Sequence, residues 1–142
     1  MKNKKVLLWL DDIRNPFIAD WRLQYAPEFE YNEDGDRETV WVKNYYDFVD
    51  WITENGLPHT IAFDHDLGED VAISLVEAGM NKKKARMVKR ESKSGKDAAN
   101  WVVNFCMDND LDLPHWEVQS ANPTGRDNIN GLLQNYKEFR NK

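Results

Sequence analysis

Two groups of acids stand directly after short apolar runs: Asp11 and Asp12 follow Val6-Leu7-Leu8-Trp9-Leu10, and Asp64 and Asp66, with His65 between them, follow Thr60-Ile61-Ala62-Phe63. If those runs are neighbouring strands, the carboxylates converge. Two carboxylates about 4 Å apart repel by roughly 4 kcal/mol at an effective dielectric near 20, so three or four drawn together must share protons or hold a cation. A cation is the simpler resolution. An oxygen-only set of Asp11, Asp12, Asp64 and Asp66 suits Mg²⁺ or Mn²⁺, while the adjacent His65 leaves a softer metal open. The plainer alternative is that these acids cap turns and solvate strand ends; their doubling on two buried strands favours the ion.

A second polar stretch, Gln119-Ser120-Ala121-Asn122-Pro123-Thr124-Gly125-Arg126, precedes the last helical segment. Hydroxyl, amide and guanidinium groups beside a helix N-terminus can grip a phosphate, so Ser120, Asn122 and Arg126 are candidate phosphate ligands. An ordinary polar loop with Asn122-Pro123 as turn chemistry is the competing account. His65, flanked by carboxylates, is the leading acid/base candidate, with Asp64 and Ser120 as the other catalytic candidates. In strict strand alternation, however, His65 points away from Asp64 and Asp66, and a packing role stays open. The lone Cys106 sits in an apolar helical stretch and reads as a small buried hydrophobe.

The elements that must position these groups follow from the hydrophobic pattern. Val6–Leu10, Val40–Val42, Thr60–Phe63 and Trp116–Val118 are short apolar runs expected as strands, the first buried on both faces of a parallel sheet. Tyr45, Phe48, Val49 and Ile52 share one helical face, as do Ala98, Trp101, Val102 and Phe105. Ile129, Leu132, Leu133 and Tyr136 mark a last helix, with Thr124 and Asp127 as a capping-box-like start. Alternating strands and helices predict an open α/β sheet of about four mainly parallel strands, helices on both faces and ligands beyond the strands' carboxyl ends. Two stretches fit less well: Asn15–Glu38, where a hairpin turning at Asp34-Gly35 is expected, and Glu69–Ser94, where a helix from Val71 is interrupted near Gly79.

At 142 residues with 41% hydrophobic content, the chain is expected to be one domain over residues 1–142. No secretory signal or membrane span is expected, because Asp11 and Asp12 cut the first apolar run short, and the unpaired cysteine points to a reducing, cytoplasmic compartment. A net charge of −6 excludes bulk electrostatic coating of nucleic acid. It permits a local basic patch: from Lys82 to Lys96 only Glu91 opposes the Lys and Arg residues, which makes residues 69–94 a basic insertion. The six Trp are expected to pack rather than stack bases, Trp21 and Trp41 being harder to place.

Together, Trp9-Leu10-Asp11-Asp12-Ile13-Arg14, Asp64-His65-Asp66-Leu67-Gly68, Gly95-Lys96-Asp97-Ala98-Ala99-Asn100-Trp101 and Ser120-Ala121-Asn122-Pro123-Thr124-Gly125 resemble the cyclic-phosphate-processing receiver-like family. The resemblance implies a shortened receiver-like, flavodoxin-like fold acting on nucleic-acid ends that bear a 2′,3′-cyclic phosphate. Asp11 and Asp12 look like the receiver acid pair, Asp64 like the phosphoacceptor or metal aspartate, and Ser120 like the hydroxyl residue ending the fourth strand. Arg14, His65, Asp66 and Asn122 match family positions, which adds Arg14 to the phosphate-binding candidates. The family usually has His before Ser-x-Asn-Pro, whereas this chain has Gln119; a mechanism using two histidines is thereby weakened.

The leading functional expectation is a metal-dependent phosphoesterase acting on phosphate or cyclic-phosphate ends of RNA or nucleotides, with no membrane partner. The alternative is a non-catalytic receiver-like module that uses the basic insertion to bind nucleic acid or protein. A phosphoaccepting signalling receiver is disfavoured, since after Asn122 the sequence offers one helix and no fifth strand carrying a lysine.

Overall fold

The computed structural model describes residues 5–12, 14–17, 37–64, 67, 76–85, 93–119 and 123–141. Four strands, β1 (Lys5–Leu10), β2 (Arg37–Val42), β3 (Thr60–Phe63) and β4 (His115–Val118), form one open sheet in the order β2-β1-β3-β4. Every pairing is parallel, with Leu10 opposite both Val42 and Phe63, and Phe63 opposite Val118. The two central strands are the continuous apolar runs: Leu7 to Leu10 and all of β3 are buried. Residues covered on both faces have no polar side to show, which is why these strands lack alternation.

Three helices of ten or more residues are found among the described residues: α1 (Tyr45–Asn55) joins β2 to β3, α2 (Gly95–Asn109) lies between β3 and β4, and α3 (Pro123–Arg140) follows β4. The steps β2→β3 and β3→β4 run the same way across the sheet, so right-handed crossovers put α1 and α2 on one face. The packing agrees. Leu8, Leu10, Ile61, Phe63 and Val118 share a core with Phe48 and Ile52 of α1, Ala98, Val102 and Cys106 of α2, and Ile129, Leu133 and Tyr136 of α3. Leu7, Trp9 and Ala62, pointing the other way, form a second buried cluster against which Trp41 packs. Helices α1, α2 and α3 therefore lie on one face of the sheet.

Local chemistry sets the helix ends. Asn44 caps α1 by accepting from the Asp47 amide at 2.8 Å, and α1 stops at Gly56, whose φ of 84° suits a residue without Cβ. α2 opens with a reciprocal box in which Asp97 Oδ2 accepts from the Ser94 amide at 2.7 Å and Ser94 Oγ accepts from the Asp97 amide at 3.4 Å. α3 begins at Pro123, so Thr124 and Asp127 lie inside its first turns and are not its cap. Proline's fixed φ and missing N–H cost nothing at a first helical position, and that overrides the capping pattern read one residue later. β2 and β4 also start earlier than their apolar runs, at Arg37 and His115, because edge strands tolerate exposed polar residues.

In the basic stretch, Gly79 has a φ of 100° and its amide donates to the Val76 carbonyl at 3.0 Å, ending the helical residues 76–77 where the interruption is expected. Lys82, Lys83 and Lys84 are exposed on the short helical turn that follows, and Ala85 is buried. The turn at Asp34-Gly35 and the helix start at Val71 lie outside the described residues.

The far ends of α2 and α3 are tied together. Tyr136 Oη donates to the Leu111 carbonyl at 2.9 Å, and Arg140 pairs with Asp112 at 2.9 Å and with Asp110. Cys106 is fully buried beneath this tie, and burial pushes its thiol up to about 11, with Arg140 opposing and Asp112 adding to the shift. An unfolded thiol ionises near 9.0. Ionisation therefore favours the unfolded chain once pH rises above that value, and the thiol's contribution, intact below about 9, is lost through about 11. Urea unfolding should show wild type losing about 2 kcal/mol relative to Cys106→Ala between those pH values. Parallel pH slopes for the two chains would refute the assignment.

Candidate metal centre

Between β1 and β2 the chain moves one way across the sheet, and from β2 to β3 it moves the other, passing over β1. The crevice at such a reversal, beyond the carboxyl ends of β1 and β3, is where open α/β sheets collect ligands. Asp11, Asp12 and Asp64 occupy it. The ladder continues one residue past each strand: Asp11 N–H donates to Val42 O at 3.1 Å, Asp64 N–H to Leu10 O at 3.0 Å, and Gln119 N–H to Phe63 O at 2.8 Å. The backbone that carries the acids is thus held as firmly as the sheet.

Oxygens of the three carboxylates lie within 4.8 Å of one another, and the residues are 0%, 5% and 4% exposed. At that spacing each ionised pair repels by roughly 3–4 kcal/mol at an effective dielectric near 20. Arg14 supplies one compensating charge: its Nη1 lies 3.2 Å from Asp11 Oδ2 and 3.8 Å from Asp64 Oδ1, and its amide donates to Asp11 Oδ1 at 2.8 Å. Three carboxylates this close favour a cation among them. The donor set is oxygen only, as Mg²⁺ or Mn²⁺ prefers, so the residues present fit such an ion.

Side-chain N–H groups clamp the loop that bears Asp11 and Arg14. Trp41 Nε1 donates to the Asp11 carbonyl at 2.7 Å, Trp9 Nε1 to the Arg14 carbonyl at 2.9 Å, and Gln119 Nε2 to the Leu10 carbonyl at 3.3 Å. Gln119 Nε2 also reaches Asp11 Oδ2 at 3.3 Å. Its Oε1 is buried with no hydrogen-bond donor among the described residues. An acceptor left so costs about 1–3 kcal/mol. Lys43 Nζ lies 4.3 Å from the Trp41 ring centroid, on the same rim as the acids.

Of the residues singled out from sequence, the fold brings Asp11, Asp12, Asp64 and Arg14 together. Arg14, expected on phosphate, is engaged with two of the acids. Arg126 is exposed in the first turns of α3 rather than in a preceding loop, and no hydrogen bond or ion pair joins it to the acids among the described residues. His65, Asp66, Ser120 and Asn122 lie outside the described residues. Sequence reasoning missed Trp9, Trp41 and Gln119 as site builders. For Trp9 a signal was present: an indole N–H in a fully buried strand needs an acceptor.

No curated protein and no solved structure gives a significant match to the chain. No helix among the described residues is long and apolar enough to cross a membrane. The family model of the cyclic-phosphate processing receiver domain matches residues 6–135, from β1 into the last turns of α3. That span includes the parallel sheet, the reversal point and all three buried aspartates, and the chain therefore belongs to the cyclic-phosphate processing receiver domain family.

Proposed function

We infer that the chain is a metal-dependent phosphoesterase that acts on phosphate or 2′,3′-cyclic phosphate ends of RNA or nucleotides. The observation that carries this reading is the trio of buried carboxylates whose oxygens lie within 4.8 Å, in a chain of this family. Asp11, Asp12 and Asp64, with Asp66 as the next candidate, would hold Mg²⁺ or Mn²⁺, which when bound polarises a phosphoryl oxygen and acidifies water. Arg14 balances the trio and, with its side chain 23% exposed, can also offer an N–H to an incoming phosphate oxygen. Ser120, Asn122 and Arg126 complete the phosphate grip in this reading, and His65 transfers the proton between water and the leaving ribose oxygen.

The test is incubation of the purified chain with an RNA oligonucleotide ending in a 2′,3′-cyclic phosphate, with Mg²⁺ or Mn²⁺, followed by mass spectrometry. Ring opening to a monophosphate that stops on chelation is the expected result; no turnover with either metal overturns the reading.

The exposed row Lys82, Lys83 and Lys84 favours a second reading, a module that binds nucleic acid without catalysis. Backbone phosphate contacts release counterions, so affinity from this row falls steeply with salt. Replacing the three lysines would abolish binding under this reading and Asp64→Asn would spare it; the reverse pattern rejects it.

A further inference from the structure

Gln119 is the first residue beyond β4 and is 0% exposed. Its carboxamide reaches the end of β1, where Nε2 meets two acceptors, the Leu10 carbonyl and Asp11 Oδ2, each at 3.3 Å. Two acceptors at one end fix which end of the amide is the nitrogen. Oε1 is therefore the opposite end, a buried acceptor with no donor among the described residues. Native interiors seldom leave such an atom unpaired. The Asp11 carboxylate, which the same carboxamide touches through Nε2, only accepts when ionised and so cannot satisfy Oε1. A ligand that carries hydrogens can, and the water that Mg²⁺ or Mn²⁺ retains in its coordination sphere is one.

We propose that Gln119 is a positioning residue of the cation site, with Nε2 orienting Asp11 and Oε1 accepting a hydrogen bond from water on the bound ion. This rests on the cation reading given above. Loss of a group that orients a metal ligand from outside the coordination sphere typically costs about 10- to 100-fold in affinity.

The test uses Mn²⁺ alone, titrated into the full chain without substrate and followed by electron paramagnetic resonance of the free ion, alongside thermal melting of the metal-free chain. Gln119→Met keeps the side chain's length and removes both the amide donor and its oxygen. It should bind Mn²⁺ about 10- to 100-fold more weakly than wild type while melting close to it without metal. Gln119→Leu, which also lacks both amide groups, should lose a similar factor. Mn²⁺ affinity of the Met variant within about twofold of wild type overturns the proposal. Should the Met variant fail to fold, the Leu variant decides by the same criterion: a loss of about tenfold or more supports the role and affinity within about twofold of wild type refutes it. Absence of Mn²⁺ binding by the wild-type chain overturns the cation reading itself, and the wild-type titration alone shows it.

Discussion

Asp64→Asn is expected to abolish both the metal-dependent turnover of the proposed function and the rise in melting temperature that Mn²⁺ gives the wild-type chain. Asp64 stands within 4.8 Å of two like charges and 3.8 Å from one opposite charge. The isosteric amide keeps hydrogen-bonding capacity and removes one of the three negative charges that an ion would meet. Added Mn²⁺ should raise the melting temperature of wild type and leave Asp64→Asn unmoved. An Asn variant that Mn²⁺ still stabilises as it does wild type would show that Asp64 does not hold the ion.

Trp9 carries the second large effect. It is the largest side chain fully buried in the sheet, and its indole N–H also holds the Arg14 carbonyl. Trp9→Ala should lose about 3–5 kcal/mol in urea unfolding, a large share of a typical total of about 5–15 kcal/mol. Trp9→Phe separates the two roles. It keeps most of the apolar volume and gives up the N–H, so a loss near 1–2 kcal/mol is expected, with turnover reduced because the Arg14 loop is no longer pinned. An Ala variant that loses under 1 kcal/mol would contradict the packing described here.

The parts of the fold legible in the sequence are those where one physical demand dominates. Val6–Leu10 and Thr60–Phe63 admit little besides buried strands, because their residues are apolar without alternation, and the sheet places them at its centre. The edge strands were legible only in their apolar halves. Arg37, Glu38 and His115 lie in strands yet look like loop, since an edge strand leaves one side to water. The start of α3 was misread because Thr124 and Asp127 offer a plausible cap, while Pro123 one position earlier fits the first turn without one.

Convergence of Asp11, Asp12 and Asp64 followed from their common place at strand ends, which needs only that the two strands be neighbours. The engagement of Arg14, Gln119 and the indoles of Trp9 and Trp41 depends on which residue faces which across the sheet. Sequence separation gives no hint of that: Gln119 and Asp11 are 108 residues apart. The tie that buries Cys106 is of the same kind, joining one helix end to another through Leu111 and Tyr136.

The alignment of Leu10 with Phe63 has a consequence for how the chain reports its own folding. A slide of β3 by one residue along β1 would turn Asp64 to the opposite side of the sheet, and a slide by two would carry it roughly 6–7 Å, further than the 4.8 Å that the trio spans. Misaligned or partly unfolded chains therefore lack the trio altogether. An ion that recognises it selects the native alignment alone and, at a concentration a hundredfold above its dissociation constant, adds about 2.7 kcal/mol to that state. Cation uptake would then serve as an assay of correct strand alignment as well as of chemistry.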